Sequence, residues 1–130
     1  MKRNIPELLA PAGDLQKLKI AILFGADAVY FGLPGFSLRA RVNKFSLADL
    51  REGADFCRKQ GKRFYVTINI YAHNRHLKAL SEHLKLLNEI KPDALILSDP
   101  GILRLVKRHC PQIPIHLSTQ ANAVNTEAVK

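Results

Sequence analysis

Apolar and polar positions along the chain follow two rhythms. Short, mostly apolar runs lie at residues 7–10, 28–31, 63–70, 94–97 and 115–118. The run at 63–70 is rich in β-branched and aromatic residues, and all five read as strands bounded by turn residues. Between them the apolar residues recur every three or four positions. Leu15, Leu18, Ala21 and Ile22 form one stripe, Leu47, Leu50, Ala54 and Cys57 a second, and Leu77, Leu80, Leu84 and Leu87 a third. That spacing is one face of a helix, so each of these stripes is expected to be buried.

Start and stop signals agree with the periodicity. Asp14 can cap the first helix, and Gly25 can end it. Ser46 with Asp49 resembles a capping box, and Gly61 closes that helix. The third helix stops before Pro92. Asp99-Pro100 reads as an N-cap followed by proline at the first helical position, and the helix over 102–109 ends at Pro111. A fifth helix begins near Asn125.

The order is therefore β-α-β-α-β-α-β-α-β-(α), an α/β chain of parallel strands joined by right-handed crossovers. Its 130 residues suit one domain. Two closures fit: an open doubly wound sheet, or the N-terminal part of a (β/α)8 TIM-like barrel, which typically takes about 250 residues. The last residues read as a helix beginning without a stop signal, which favours about five strands of a barrel with its remainder missing. Such an arc has two open sheet edges and one poorly covered face. Weak autonomous stability and self-association through those edges are expected.

Composition narrows the class. Hydrophobic residues make up 47% and charged residues 24%, which excludes a disordered tail, a collagen-like repeat and a disulfide mini-protein. No apolar run is long enough to span a bilayer, and no apolar signal core follows the basic start, so a cytoplasmic protein with no membrane partner is expected. Cys57 and Cys110 share no metal-ligand spacing and read as buried thiols in a reducing compartment. Lys and Arg number 20 against 11 Asp and Glu, and the resulting +9 favours a polyanionic partner.

In either closure, ligands bind at the carboxyl ends of the strands. Polar residues collect there: Asn69, His73 and Asn74 after the third strand, Ser98 and Asp99 after the fourth, and Ser118, Thr119, Gln120 and Asn122 after the fifth. Alternation puts His116 and Ser118 on one face of the fifth strand, which in a barrel would point inward. His116 or His73 is the expected proton-transfer group. Asp99 is explained as a helix cap, with a second role as a site carboxylate. Asn69, Asn74, Ser118, Gln120 and Asn122 are expected to line the pocket. Arg39 and Arg41, in the long loop after the second strand, suit an anionic substrate or an RNA phosphate.

His73 and His76 are three apart, a spacing used by metal ligands, but no third ligand is fixed near them; no metal site is expected. The chain has no G-x-S-x-G elbow, H-E-x-x-H helix, phosphate loop or C-x-x-C. Two cysteines cannot supply the four thiolates of an iron–sulfur cluster.

Specific strings carry further than composition. Glu7-Leu8-Leu9-Ala10-Pro11-Ala12-Gly13, Gly25-Ala26-Asp27-Ala28-Val29-Tyr30 and Phe36-Ser37-Leu38-Arg39-Ala40-Arg41 resemble the opening of the collagenase-like U32 peptidase family. Asp93-Ala94-Leu95-Ile96-Leu97-Ser98-Asp99-Pro100-Gly101 and Ile115-His116-Leu117-Ser118-Thr119-Gln120-Ala121-Asn122 extend the resemblance over nearly the whole chain. Phe64-Tyr65-Val66, Asn69-Ile70, His73-Asn74 and Gln120-Ala121-Asn122-Ala123-Val124-Asn125 are similar to the branch that acts in 5-hydroxyuridine formation at the tRNA wobble position.

The resemblance implies a barrel-like domain, tRNA as partner, and prephenate as a linked anionic metabolite. It also implies an iron–sulfur cluster held by a cysteine-containing region further along in longer family members, with no cofactor within these residues. A collagenase-like peptidase is the alternative activity. A non-catalytic RNA-binding fragment is the third reading.

Overall fold

The computed structural model describes residues 5–38 and 44–130. Five strands, β1 (Leu9–Pro11), β2 (Ala28–Gly32), β3 (Arg63–Ile68), β4 (Ala94–Leu97) and β5 (Ile115–Leu117), alternate with helices. The helices are α1 (Leu15–Leu23), α2 (Leu47–Lys59), α3 (Asn74–Ile90), α4 (Pro100–His109) and α5 (Thr126–Val129), and a 3-10 turn spans Thr119–Ala121. All strand pairings are parallel, and the sheet order is β1-β2-β3-β4-β5.

That order decides between the two closures. Right-handed crossovers that always step the same way lay their helices on one face of the sheet. A doubly wound sheet must reverse its strand order to use both faces. The sheet is therefore an arc of the barrel type, with β1 and β5 as its edges.

Period-two alternation divides the strand residues between the faces. Val29, Phe31, Phe64, Val66, Leu95 and Leu97 join one core with Leu18 and Ile22 of α1, Leu50, Ala54 and Cys57 of α2, Leu80, Leu84 and Leu87 of α3, and Ile102 and Val106 of α4. Phe31 stacks on Phe45 at 4.6 Å and on Phe64 at 6.2 Å between ring centroids. The opposite face holds a much smaller cluster, Ala28, Tyr65 and Ala94, with Tyr30 and Ile96 packed against it. Register aligns Pro11, Tyr30, Tyr65 and Ala94 in one layer, and Gly32, Thr67, Ile96 and His116 in the next.

The helix starts are as the sequence predicts. Asp14 Oδ1 accepts from the Lys17 amide at 2.8 Å, and Asp99 Oδ1 from the Ile102 amide at 2.8 Å. Ser46 and Asp49 form a reciprocal capping box. Gly25 and Gly61 end α1 and α2 with φ of +103° and +63°, where a side chain would be strained.

Several boundaries differ from expectation. The first strand begins at Leu9 rather than residue 7, because Asp27 Oδ2 accepts the Leu8 amide at 3.0 Å and holds that segment outside the ladder. The third strand stops at Ile68 rather than residue 70, because the Asn69 amide turns to the Phe36 carbonyl at 3.1 Å. Ser118 lies outside β5 and caps the 3-10 turn. Leu47, expected in the core, is 43% exposed, since it occupies the first turn of α2 away from the sheet. Among the described residues no helix is long and apolar enough to cross a membrane.

Candidate strand-end binding site

The helix-free face and the carboxyl ends of the strands meet in an open concavity of about 390 Å³. β2 contributes Tyr30, and β4 contributes Ile96. β3 contributes Thr67 and, just past its end, Asn69, two residues on and therefore on the same side. The turn after β5 contributes Ser118, Thr119 and Gln120. Ser37 and Leu38 reach it from the loop after β2, and Leu9 and Leu117 give it apolar edges.

Hydrogen bonds fasten these pieces together. The Leu33 amide donates to the Thr67 carbonyl at 3.0 Å, and Thr67 Oγ1 donates to the Phe31 carbonyl at 3.3 Å. Asn69 grips the same loop twice: its amide donates to the Phe36 carbonyl, and its Oδ1 accepts from the Leu38 amide at 3.1 Å. On the other wall, the Ser118 amide donates to the Leu97 carbonyl at 2.7 Å, and Ser118 Oγ accepts from the Gln120 amide at 3.3 Å. Among the described residues the lining is thus uncharged and more apolar than polar, with its polar groups braced by backbone bonds at both walls.

Three of the residues expected in the pocket come together here: Asn69, Ser118 and Gln120. Others sit elsewhere. Asp99 lies at the same end of the sheet, where its carboxylate caps α4. His116 is on the helix-free face, as alternation requires, with its ring 5.2 Å from that of Tyr65 and outside the concavity. Tyr65 donates its hydroxyl to the Glu7 carboxylate at 2.9 Å, and Glu7 pairs with Arg63. Burial, reinforced by that carboxylate, holds the Tyr65 phenol above its usual range.

His73 and Asn74 form the exposed start of α3 and do not line the concavity. The His73 amide donates to His76 Nδ1 at 3.0 Å, and Arg75 Nε approaches His76 Nε2 at 3.3 Å. A neutral imidazole has one acceptor nitrogen, so only one of these bonds exists at a time. Asn122 closes the 3-10 turn in the left-handed conformation, with φ of 55°, also away from the concavity. Arg39 and Arg41 lie outside the described residues.

Among the described residues no three His, Cys, Asp or Glu side chains gather into a set that could hold a metal ion. The two cysteines do not fit an iron–sulfur cluster. Both are fully buried between sheet and helices, and burial pushes the Cys57 thiol up to about 11 and the Cys110 thiol upward as well. A cluster takes four thiolates, and burial disfavours that charged form in the two thiols present.

Tyr30, Ser37 and Thr67 line the concavity without having been singled out from the sequence. Tyr30 and Thr67 carried a usable signal, since stepping back by two along β3 from Asn69 reaches Thr67 and then Tyr65, the ladder partner of Tyr30. Ser37 carried none, because hydrogen bonds to β3 fold its loop inward.

Comparison with known proteins adds an independent line. The sequence model of Peptidase family U32 matches residues 13–130. The chain is 52% identical over 125 residues to the tRNA hydroxylation protein P of Escherichia coli, a match covering 96% of this chain and 28% of that protein. It is 34% identical over 131 residues to a collagenase of Porphyromonas gingivalis, covering 100% of this chain and 31% of that one. A solved U32 peptidase superposes with a TM-score of 0.68 at 12% identity, over 98% of this chain and 56% of that structure. At that identity the likeness is one of fold. The chain spans 28% and 31% of the lengths of these two relatives.

Proposed function

The chain belongs to peptidase family U32, and from that premise we propose that it forms the substrate-binding rim of a cytoplasmic tRNA-modifying enzyme that produces 5-hydroxyuridine at the wobble position. The observation that carries this reading is the strand-end concavity, lined by neutral donors and acceptors from Tyr30, Thr67, Asn69, Ser118 and Gln120. Such a lining suits a neutral, planar, hydrogen-bonding ligand such as a nucleobase. Peptide hydrolysis asks instead for a nucleophile beside a base. Among the described residues the candidate acid–base groups lie outside this concavity, with Asp99 engaged as a helix cap.

Two further observations support RNA. Identity to the tRNA hydroxylation protein is 52%, against 34% to the collagenase. Lys78, Lys91, Arg104, Lys107 and Arg108 form no ion pair among the described residues, which leaves positive charge for phosphate. Prephenate enters the proposal as the anionic metabolite linked to the reaction, with Arg39 and Arg41 as its candidate grip. The iron–sulfur cluster would be held by residues outside this chain's own two cysteines.

The test is deletion of the encoding gene followed by mass spectrometry of total tRNA nucleosides. Wobble 5-hydroxyuridine should disappear and should return when the natural reading frame is restored. Unchanged 5-hydroxyuridine would sink the proposal. Turnover of a peptide panel by the purified protein would replace it with the peptidase reading. RNA retention with a steep salt dependence and no loss of the modified base would replace it with the RNA-binding reading.

A further inference from the structure

Tyr65 is buried and Tyr30 is half-buried in the concavity, but Tyr71, the third tyrosine of the chain, is 81% exposed. Its neighbours fix its place. Ile70 and Ala72, on either side, pack against the helix-side core, which anchors the connection from β3 to α3 and leaves the ring outside. The ring therefore adds little to the fold. Asn69, two residues earlier, lines the concavity. Two residues span at most about 7 Å of chain, so Tyr71 stands on the rim of that opening. The chain beside it is cationic. Residues 69–81 hold Arg75, Lys78 and two histidines, and no carboxylate. Arg75 and Lys78 are exposed and form no ion pair among the described residues. Arg75 turns its Nε toward His76, and its terminal nitrogens have no partner among the described residues.

We propose that Tyr71 and Arg75 form a second subsite on the rim, where the ring stacks on an unpaired RNA base next to the one in the concavity and the guanidinium takes a phosphate of that nucleotide. An exposed aromatic face with free cations beside it is the arrangement that holds single strands, and it tolerates any base because every base has a π-face. A duplex hides those faces, so the subsite fits an unpaired loop. An acidic protein segment would meet the same cations but offers no flat face to the ring. This assignment rests on the RNA-base reading above and deepens it: it adds a neighbouring nucleotide, held by its face and its phosphate instead of by its base edges.

The experiment measures binding of an RNA hairpin by the protein made from its natural reading frame, over a range of salt. Tyr71→Leu keeps apolar bulk but loses the flat ring, and it should weaken binding by between about fivefold and about a hundredfold with no change in salt slope. Tyr71→Phe should bind like the wild type. Arg75→Gln should weaken binding and lower the slope of log affinity against log salt by about 0.7, one phosphate of a single strand. The urea midpoint of each variant should match the wild type, because both side chains are exposed. Loop nucleotides are then made abasic one at a time. At one position the lost base should cost the wild type about what Tyr71→Leu costs, and should cost the Tyr71→Leu protein nothing more. A Tyr71→Leu protein with wild-type affinity overturns the assignment and leaves the RNA reading standing. So does a Tyr71→Leu loss that adds in full to every abasic substitution, or equal displacement of the hairpin by polyglutamate. A wild type that does not bind the hairpin overturns the RNA reading and this assignment together.

Discussion

The two faces of the sheet are built from the same five strands and do opposite work. On the helix side Phe31, Phe64, Val66, Leu95 and Leu97 are almost fully buried against four helices. On the other side Ala28, Tyr65 and Ala94 make a thin cluster, and exposed His116 stands at its border. The first face holds the fold together. The second leaves room at the strand ends for a concavity whose described lining is uncharged and mixes apolar with hydrogen-bonding groups. A single face of a parallel sheet cannot do both, because filling it with large side chains would remove the space a ligand needs.

Paired substitutions test that division. Phe31→Ala removes a ring stacked between Phe45 and Phe64 and should cost about 3–5 kcal/mol in urea unfolding. Ile96→Ala, on the half-covered face, should cost less than about 2 kcal/mol, because less surface returns to water. Equal costs would show that the open face carries as much of the fold as the covered one.

Thiol chemistry probes the covered face directly. With the Cys57 thiol pushed up from 9.0 to about 11, its thiolate population at neutral pH falls by about a hundredfold. Cys57 should therefore resist alkylation in the native protein and react at once in denaturant, as followed by mass spectrometry. Rapid native labelling would mean that the core opens readily.

Asp99 separates scaffold from site. Asp99→Ala should cost about 1 kcal/mol through loss of the α4 cap, whereas Asp99→Asn retains a capping oxygen and should be close to neutral. If the Asn variant is stable yet yields no modified tRNA, the carboxylate acts in catalysis as well as in capping.

The smallest effect is on pH dependence. Hydrogen bonds from the backbone amides of Lys17, Leu8 and Ser46 hold the carboxyls of Asp14, Asp27 and Asp49 below their usual range. A lowered folded-state pKa gives stability that is present above the unfolded value of about 4 and lost as the pH falls through the folded value. All three are partly exposed, so the decline in urea midpoint below about pH 4 should be shallow. A midpoint that rises on acidification would contradict the assignment.

Much of this was legible in advance, for a local reason. Asp14, Ser46 and Asp99 mark the starts of α1, α2 and α4 because a cap acts within three residues of itself. Leu80, Leu84 and Leu87 reveal the buried face of α3 because a helical stripe is read from nearest turns. Leu47 misled because the stripe says which residues share a face and not whether the sheet extends far enough to cover the first turn. Asn69, Ser118 and Gln120 were accessible through the rule that ligands gather at strand carboxyl ends. His73, Asn74 and Asn122 satisfied the same rule and lie outside the concavity, since a loop residue's chain position does not say which way its loop folds.

The sequence by itself therefore determined the succession of strands and helices, where most helices begin, and the end of the sheet at which polar groups collect. Each follows from interactions spanning a few residues. Only the tertiary structure decided that the strands run in order along one arc with a single covered face, and that Tyr30, Thr67, Asn69 and Ser118 share one concavity. Those facts depend on strand register and on a loop hydrogen-bonded across to β3, and they join residues up to a long stretch apart, which no local pattern encodes.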